Sequence, residues 1–135
     1  MRPNQLLAWS LPYAPLRPSP GELQTIGAAL MTPMGLRSQA PGTPGYHGVH
    51  RGDPAARDTA YHTGTVWPWL IGPFVASWHR LGVSADQTLS DADDHLGEYG
   101  LGSVSETADG DAPHEATGCP FQAWSVAETL RARRL

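Results

Sequence analysis

Gly64-Thr65-Val66-Trp67-Pro68-Trp69-Leu70-Ile71-Gly72-Pro73-Phe74-Val75-Ala76-Ser77-Trp78 is apolar on almost every side when wound at helical spacing. Its large side chains do not fall on one stripe, so the pattern predicts a helix buried on most of its faces and kinked near Pro73. Such a segment cannot lie on a surface, and the remaining elements have to cover it. Ser19-Pro20-Gly21-Glu22 carries an N-cap serine, a proline at the first helical position and a glutamate three residues after the cap. Leu23, Ile26, Ala29 and Leu30 follow at helical spacing, which predicts a second helix with a capping box. Pro3 ahead of Asn4–Trp9 predicts a short first helix, ended by Pro12. After the apolar stretch, a polar helix is expected from Asp86 to Tyr99. A last one, from Phe121 to Arg134, turns Phe121, Trp124 and Leu130 toward a core and sets arginines in its final turn. Thr32–Thr63 is punctuated by Pro33, Pro41, Gly42, Pro44, Gly45, Gly48, Gly52 and Pro54 and is expected to be loop. No run of β-branched alternation suggests a sheet, so the expected class is all-α, with stacked helical hairpins joined by long loops.

Composition narrows the function. The chain has 135 residues, 40% of them hydrophobic and 16% charged, with a formal net charge of −4. That length allows one domain or less. The small net charge and five tryptophans argue for a folded chain, and 15 glycines with 13 prolines argue that much of it is loop. All nine basic residues are arginines, and they are scattered, so no basic stripe follows a phosphate backbone and nucleic acid is not an expected partner. No apolar run approaches the roughly 20 residues of a membrane span, and the Met-Arg-Pro-Asn start lacks a signal-peptide core, so the expected compartment is the cytoplasm and no membrane is expected as partner. Cys119 has no second thiol to pair with, and Pro120 follows it with no evident activating base, so neither a disulfide nor a thiol nucleophile is expected.

The densest cluster of polar and aromatic residues runs from Asp53 to Trp69. Asp53, Arg57, Asp58, Tyr61 and His62 lead there into Trp67 and Trp69. Sugars present apolar C–H faces that stack on aromatic rings, and hydroxyls that suit carboxylates, guanidinium groups and imidazoles, so this mixture fits a carbohydrate. Trp67 and Trp69 fit a core as well as a ligand platform, whereas Trp78 fits the core. In the Gly-rich segment from Gly100 to His114, Glu106 is an isolated carboxylate. It is either a solvated turn residue or the general base of a glycoside hydrolysis. Asp109 and Asp111, on either side of Gly110, fit Asx turns. His47, His50, Asp53, Asp58 and His62 share one segment, yet their spacing is not that of a zinc hydrolase and no cysteine supports them, so no metal or other cofactor is expected.

Taken together, several blocks resemble the amylo-α-1,6-glucosidase family, the C-terminal glucosidase domain of glycogen debranching enzymes. They include Arg2-Pro3-Asn4-Gln5, Leu30-Met31-Thr32-Pro33-Met34-Gly35-Leu36-Arg37-Ser38, Gly52-Asp53-Pro54, Tyr61-His62, the Gly64–Phe74 block, Ser105-Glu106, Asp109-Gly110 and Gln122-Ala123-Trp124-Ser125, all in family order. The resemblance implies an (α/α)₆ toroid, of which residues 1–135 would be the C-terminal part, and an inverting glucosidase that removes α-1,6-linked glucose from glycogen or limit dextrin. It implies Glu106 as general base, with Asp53, Arg57, Tyr61, His62, Trp67 and Trp69 holding the terminal glucose. The family's general acid precedes the Arg2-Pro3-Asn4-Gln5 block, so the resemblance implies an acid outside this chain. It also implies cooperation with an upstream half of the domain or self-association. Thr63, where the family more usually has glutamine, and Thr107-Ala108, in place of a larger apolar pair, are departures from the family pattern. Without an acid, the same loops would make a noncatalytic α-glucan-binding fragment or an inactive remnant of that domain.

Overall fold

The computed structural model describes residues 1–85 and 87–135, Gln87 by its backbone alone. The apolar stretch is strand, turn and helix in succession. Val66–Trp67 is a strand, Pro68–Leu70 a 3₁₀ turn, and the helix occupies only Ile71–His79. Pro68 is the cause: its ring disfavours helical backbone at the residue before it, and Trp67 is accordingly extended, with φ −118° and ψ 104°. Pro73 is the third residue of the helix, where its missing N–H would have had no partner within the helix, so the helix passes through it.

Among the described residues there are six helices and one sheet. The helices are α1 (Leu7–Ser10, after a 3₁₀ turn at Asn4–Leu6), α2 (Pro20–Leu30), α3 (Pro54–Ala60), α4 (Ile71–His79), α5 (Gln87–Asp94, before a 3₁₀ turn at His95–Gly97) and α6 (Ala123–Ala132). The strands are β1 (Met31–Thr32), β2 (Gly35–Arg37), β3 (Val66–Trp67), β4 (Thr107–Ala108) and β5 (Ala116–Thr117), paired antiparallel in that order. This sheet overturns the all-α, stacked-hairpin (α/α)₆ expectation. Each strand is two or three residues long, too short for period-two alternation to register. The partners also lie far apart in the chain: Leu36 pairs with Trp67, and Val66 with Ala108.

The segment expected to be unbroken loop holds β1, β2 and α3. Thr32 ties the turn between β1 and β2, its hydroxyl donating to the Gly35 carbonyl at 2.9 Å and accepting from the Met34 N–H at 3.2 Å. In α2 the capping box forms as the spacing predicts. Ser19 Oγ accepts from Glu22 N–H, and Glu22 accepts from Ser19 N–H at 2.8 Å. The start expected for the polar helix, Asp86, lies outside the described residues, and α5 ends at Asp94, short of Tyr99.

Two apolar clusters meet at α4. Leu6, Trp9, Leu23, Ile26, Leu30, Leu36, Trp67, Leu70 and Phe74 form the larger one, between α1, α2 and the sheet. Ile71, Val75, Leu89 and Ala132 form the other, between α4, α5 and α6. Every residue of α4 from Ile71 to Ser77 is buried. The face that α6 presents differs from expectation. Ser125, Thr129 and Ala132 are buried, while Phe121, Trp124 and Leu130 are 64%, 46% and 51% exposed. Small side chains let α6 lie close against α4, where the Glu128 carboxylate, held by Arg131, comes up against Gly72. A large residue on that face would have nowhere to go.

Candidate active site

Glu106 stands immediately before β4 between Ser105 and Thr107, both fully buried, and is itself only partly buried. Ser105 N–H donates to His95 Nε2 at 3.2 Å, and Ser105 Oγ donates to the Thr107 carbonyl at 3.0 Å, so the backbone on either side of Glu106 is held in place. Both carboxylate oxygens have donors. Tyr61 donates its hydroxyl to Oε1 at 2.6 Å, and Cys119 donates its N–H to Oε2 at 3.0 Å. Gly118 makes the second contact possible. It sits at φ +71°, in the left-handed region that side chains avoid, and a Cβ there would lie 2.7 Å from Glu106 Oε2.

Tyr61 follows the last turn of α3 and is the hub of an aromatic chain. Its ring centroid lies 5.4 Å from His50, 4.9 Å from His62 and 4.6 Å from Trp67. His62 stacks on Trp67 with an interplanar angle of 8°, Trp67 meets Trp124 edge to face, and Trp124 stacks on Trp69 at 28°. Trp67, 5% exposed, belongs to the core and donates Nε1–H to the Tyr61 carbonyl at 3.0 Å, whereas Trp69 is partly exposed. This chain runs between two cavities. One is an open polar cleft of about 1100 Å³, whose lining includes His50, Arg57, Tyr99, Thr117 and Gly118. The other is a pocket of about 290 Å³, whose lining includes Arg2, Asn4, His62, Trp67, Trp69 and Trp124.

Burial pushes the His50 imidazole below its ordinary value, against the pull of the Asp109 and Glu106 carboxylates. Its Nδ1 lies 3.0 Å from Thr117 Oγ1. Burial, and then the hydrogen bond to Glu106, push the Tyr61 hydroxyl up to about 12, so it remains a donor throughout the neutral range.

The structure does not gather every expected sugar ligand. Glu106 and Tyr61 touch, and His62, Trp67 and Trp69 share the smaller pocket. Arg57 lines the cleft, its Nη1 bound to the Gly52 carbonyl at 2.6 Å. Asp53 is the N-cap of α3, accepting from Ala56 N–H at 2.9 Å, and lines neither cavity. Trp124 is a pocket residue that sequence reasoning assigned to the core. His50, weighed only as a metal ligand, sits against Tyr61. A signal for both existed, since each lies in or beside a family-like block. Among the described residues no three His, Cys, Asp or Glu side chains gather where a metal would sit.

A family model described as amylo-alpha-1,6-glucosidase matches residues 1–131. The chain belongs to the amylo-α-1,6-glucosidase family. No curated protein is similar enough to be matched to it. This amylo-α-1,6-glucosidase family member is thereby related to glycoside hydrolases, whose chemistry uses two carboxyl groups. Besides Glu115, which is exposed and ion-paired with Arg51, three other carboxyl groups lie on nearby loops. Asp109, expected in an Asx turn, is 6% exposed and is held by His50 N–H at 2.8 Å and Arg51 at 3.0 Å. Asp111 accepts from the Tyr46 hydroxyl at 2.8 Å, and Glu98 is exposed. None of the three is the buried, unpaired carboxyl that a general acid requires.

The contact between Tyr61 and Glu106 is open to test. Tyr61→Phe removes one of the two donors that aim Glu106, and kcat for glucose release is expected to fall about tenfold, with KM within threefold. The same hydroxyl contributes stability. Because folding raises its pKa from 10 to about 12, that contribution is complete below pH 10 and disappears as pH climbs toward 12. The urea midpoint of the wild type should therefore drop more between pH 9.5 and 11.5 than that of Tyr61→Phe. An unchanged kcat would leave Tyr61 as packing alone.

Proposed function

We propose that this chain supplies the general base and part of the glucose pocket of an inverting α-1,6-glucosidase that acts on the branch-point glucose of glycogen or limit dextrin. The observation that carries this reading is the Glu106 carboxylate, aimed by Tyr61 and Cys119 beside an aromatic wall. Glu106 takes a proton from a water molecule, and the water oxygen bonds to the anomeric carbon on the face opposite the leaving group. The bond from that carbon to the branch oxygen breaks, and the oxygen takes a proton from a carboxylic acid outside these residues. The products are glucose with inverted configuration and the debranched chain. The pocket containing His62, Trp69 and Trp124 receives the terminal glucose, stacking its C–H face on indole.

The test is proton NMR of glucose released from a branched limit dextrin, by the chain alone and mixed with an upstream fragment containing the acid. The β-anomer should appear first, decaying to the equilibrium mixture by mutarotation. First appearance of the α-anomer would mean retention and would remove Glu106 as a base acting through water. The absence of a buried, unpaired acid among the described carboxyl groups near Glu106 favours one further reading, a noncatalytic module that binds α-glucan through the same loops.

A further inference from the structure

We infer that His50 is a positioning residue for Glu106, acting through a chain of two threonine hydroxyls that runs from Thr107 to Thr117 and ends on the imidazole Nδ1. Glu106 is gripped at one end of the β4–β5 pair. Its N–H donates to the Cys119 carbonyl at 2.8 Å, and the Cys119 N–H donates back to Oε2 at 3.0 Å. The next residues along that pair are Thr107 and Thr117, directly opposite each other, so their alignment sets where the Cys119 N–H lies against the carboxylate. Their hydroxyls are 2.8 Å apart. His50 meets them from the loop ahead of α3, with Nδ1 at 3.0 Å from Thr117 Oγ1 and 3.4 Å from Thr107 Oγ1.

The direction of the chain follows from counting protons. Thr107 is fully buried, and its hydroxyl has no hydrogen-bonding neighbour among the described residues other than Thr117 Oγ1 and His50 Nδ1. Along the shorter contacts, Thr107 donates to Thr117, and Thr117 donates onward to Nδ1, which uses both hydroxyl protons. A proton on Nδ1 would leave the Thr117 hydroxyl without an acceptor among the described residues, so the imidazole carries its proton on Nε2. Burial acts in the same sense, because it disfavours a second proton on the ring. The imidazole is also held in place. His50 is 8% exposed, its N–H donates to the buried Asp109 at 2.8 Å, and its ring lies 5.4 Å from that of Tyr61, the other donor to Glu106. There is little slack at the joint. A Cβ on Gly118 would lie 2.8 Å from Thr107 Oγ1 and 2.7 Å from Glu106 Oε2, so a shift of the threonine pair reaches the carboxylate. His50 thus bears on both donors of Glu106 through other groups.

This inference rests on the reading of Glu106 as base only for its effect on rate, and the hydrogen-bond chain is tested without turnover. In nitrogen NMR of the labelled protein near neutral pH, His50 should show a bare, hydrogen-bonded Nδ1 and a protonated Nε2. Amide exchange reads the consequence. Protection of the Cys119 N–H should fall about tenfold in Thr117→Val, which keeps the side-chain shape, and in His50→Leu, which keeps the bulk. It should return to within about threefold of wild type in His50→Asn, whose amide oxygen can replace Nδ1 as acceptor. Protection of α2 should be the same in all four proteins. In the dextrin assay with the upstream fragment, kcat should follow the same order, about tenfold lower for Thr117→Val and His50→Leu and restored by His50→Asn, with KM within about threefold. A proton on Nδ1, wild-type Cys119 protection in Thr117→Val, or failure of His50→Asn to restore what His50→Leu loses would each overturn the inference. So would an unchanged kcat in variants that have lost the protection. If exchange follows the expected order and none of the proteins releases glucose, the positioning chain stands and the base reading fails.

Discussion

Glu106→Gln is expected to lower glucose release from a branched limit dextrin by about 10²–10⁴-fold, the range lost with a general base. The substitution is nearly isosteric, so its effect can be assigned. With its oxygen in the place of the wild-type Oε2, the amide still accepts from the Cys119 N–H, and the Tyr61 hydroxyl rotates to accept from the amide nitrogen. What the amide cannot do is take a proton from water. Dextrin affinity should therefore stay within a few fold and the melting temperature within about 2 °C, a shift of under ~0.5 kcal/mol. Release of glucose by the variant at more than a tenth of the wild-type rate would remove Glu106 from the chemistry. Tight dextrin binding by both proteins, with no release from either even when the upstream fragment is added, would instead establish the noncatalytic reading.

A large loss of stability is expected from Gly35→Ala, in the first residue of β2. Gly35 has φ +126°, which L residues rarely adopt, and a Cβ there would lie 2.8 Å from Pro68 Cα and 3.1 Å from the Trp67 carbonyl. Both neighbours are backbone of the segment joining β3 to α4, so neither can swing aside. Strained backbone costs about 1–3 kcal/mol and overpacking a similar amount, giving about 3–5 kcal/mol together. Against a total stability of about 5–15 kcal/mol, this leaves much of the protein unfolded at moderate urea. Gly42→Ala is the control. Its φ is +75° and nothing lies within 4 Å of the added carbon, so only the backbone strain of about 1–2 kcal/mol applies. Equal urea midpoints for the two variants would show that β2 does not pack against Pro68 as described.

What could be read from the residues was local. The Ser19–Glu22 capping box is a reciprocal exchange between groups three residues apart, and it forms as the sequence predicts. Proline at the first turn of a helix, the burial of α4 on all sides and the family-like blocks matched over residues 1–131 are likewise carried by contiguous residues. Pro68 even marked the break between Trp67 and the helix, although the apolar run around it obscured the signal. Asp53 shows the ambiguity that remains at this level, because a carboxylate ahead of Pro54 is an N-cap as readily as a sugar ligand.

The rest was decided between segments. The Gly35–Pro68 approach, the pairing of Val66 with Ala108 and the line from Tyr61 to Glu106 each join residues more than 30 positions apart, and no local period encodes them. On α6 the usual hydrophobic rule failed for a steric reason. Close approach to Gly72 selected Ser125, Thr129 and Ala132 for the inner face and left Trp124 to the pocket. Sequence alone therefore determined the family, the Ser19–Glu22 cap and the most buried helix, because these depend on neighbours along the chain. The sheet, the face of α6 and the aim of Glu106 waited on the tertiary structure, because short strands and a shared carboxylate exist only once distant backbone has been brought within hydrogen-bonding distance.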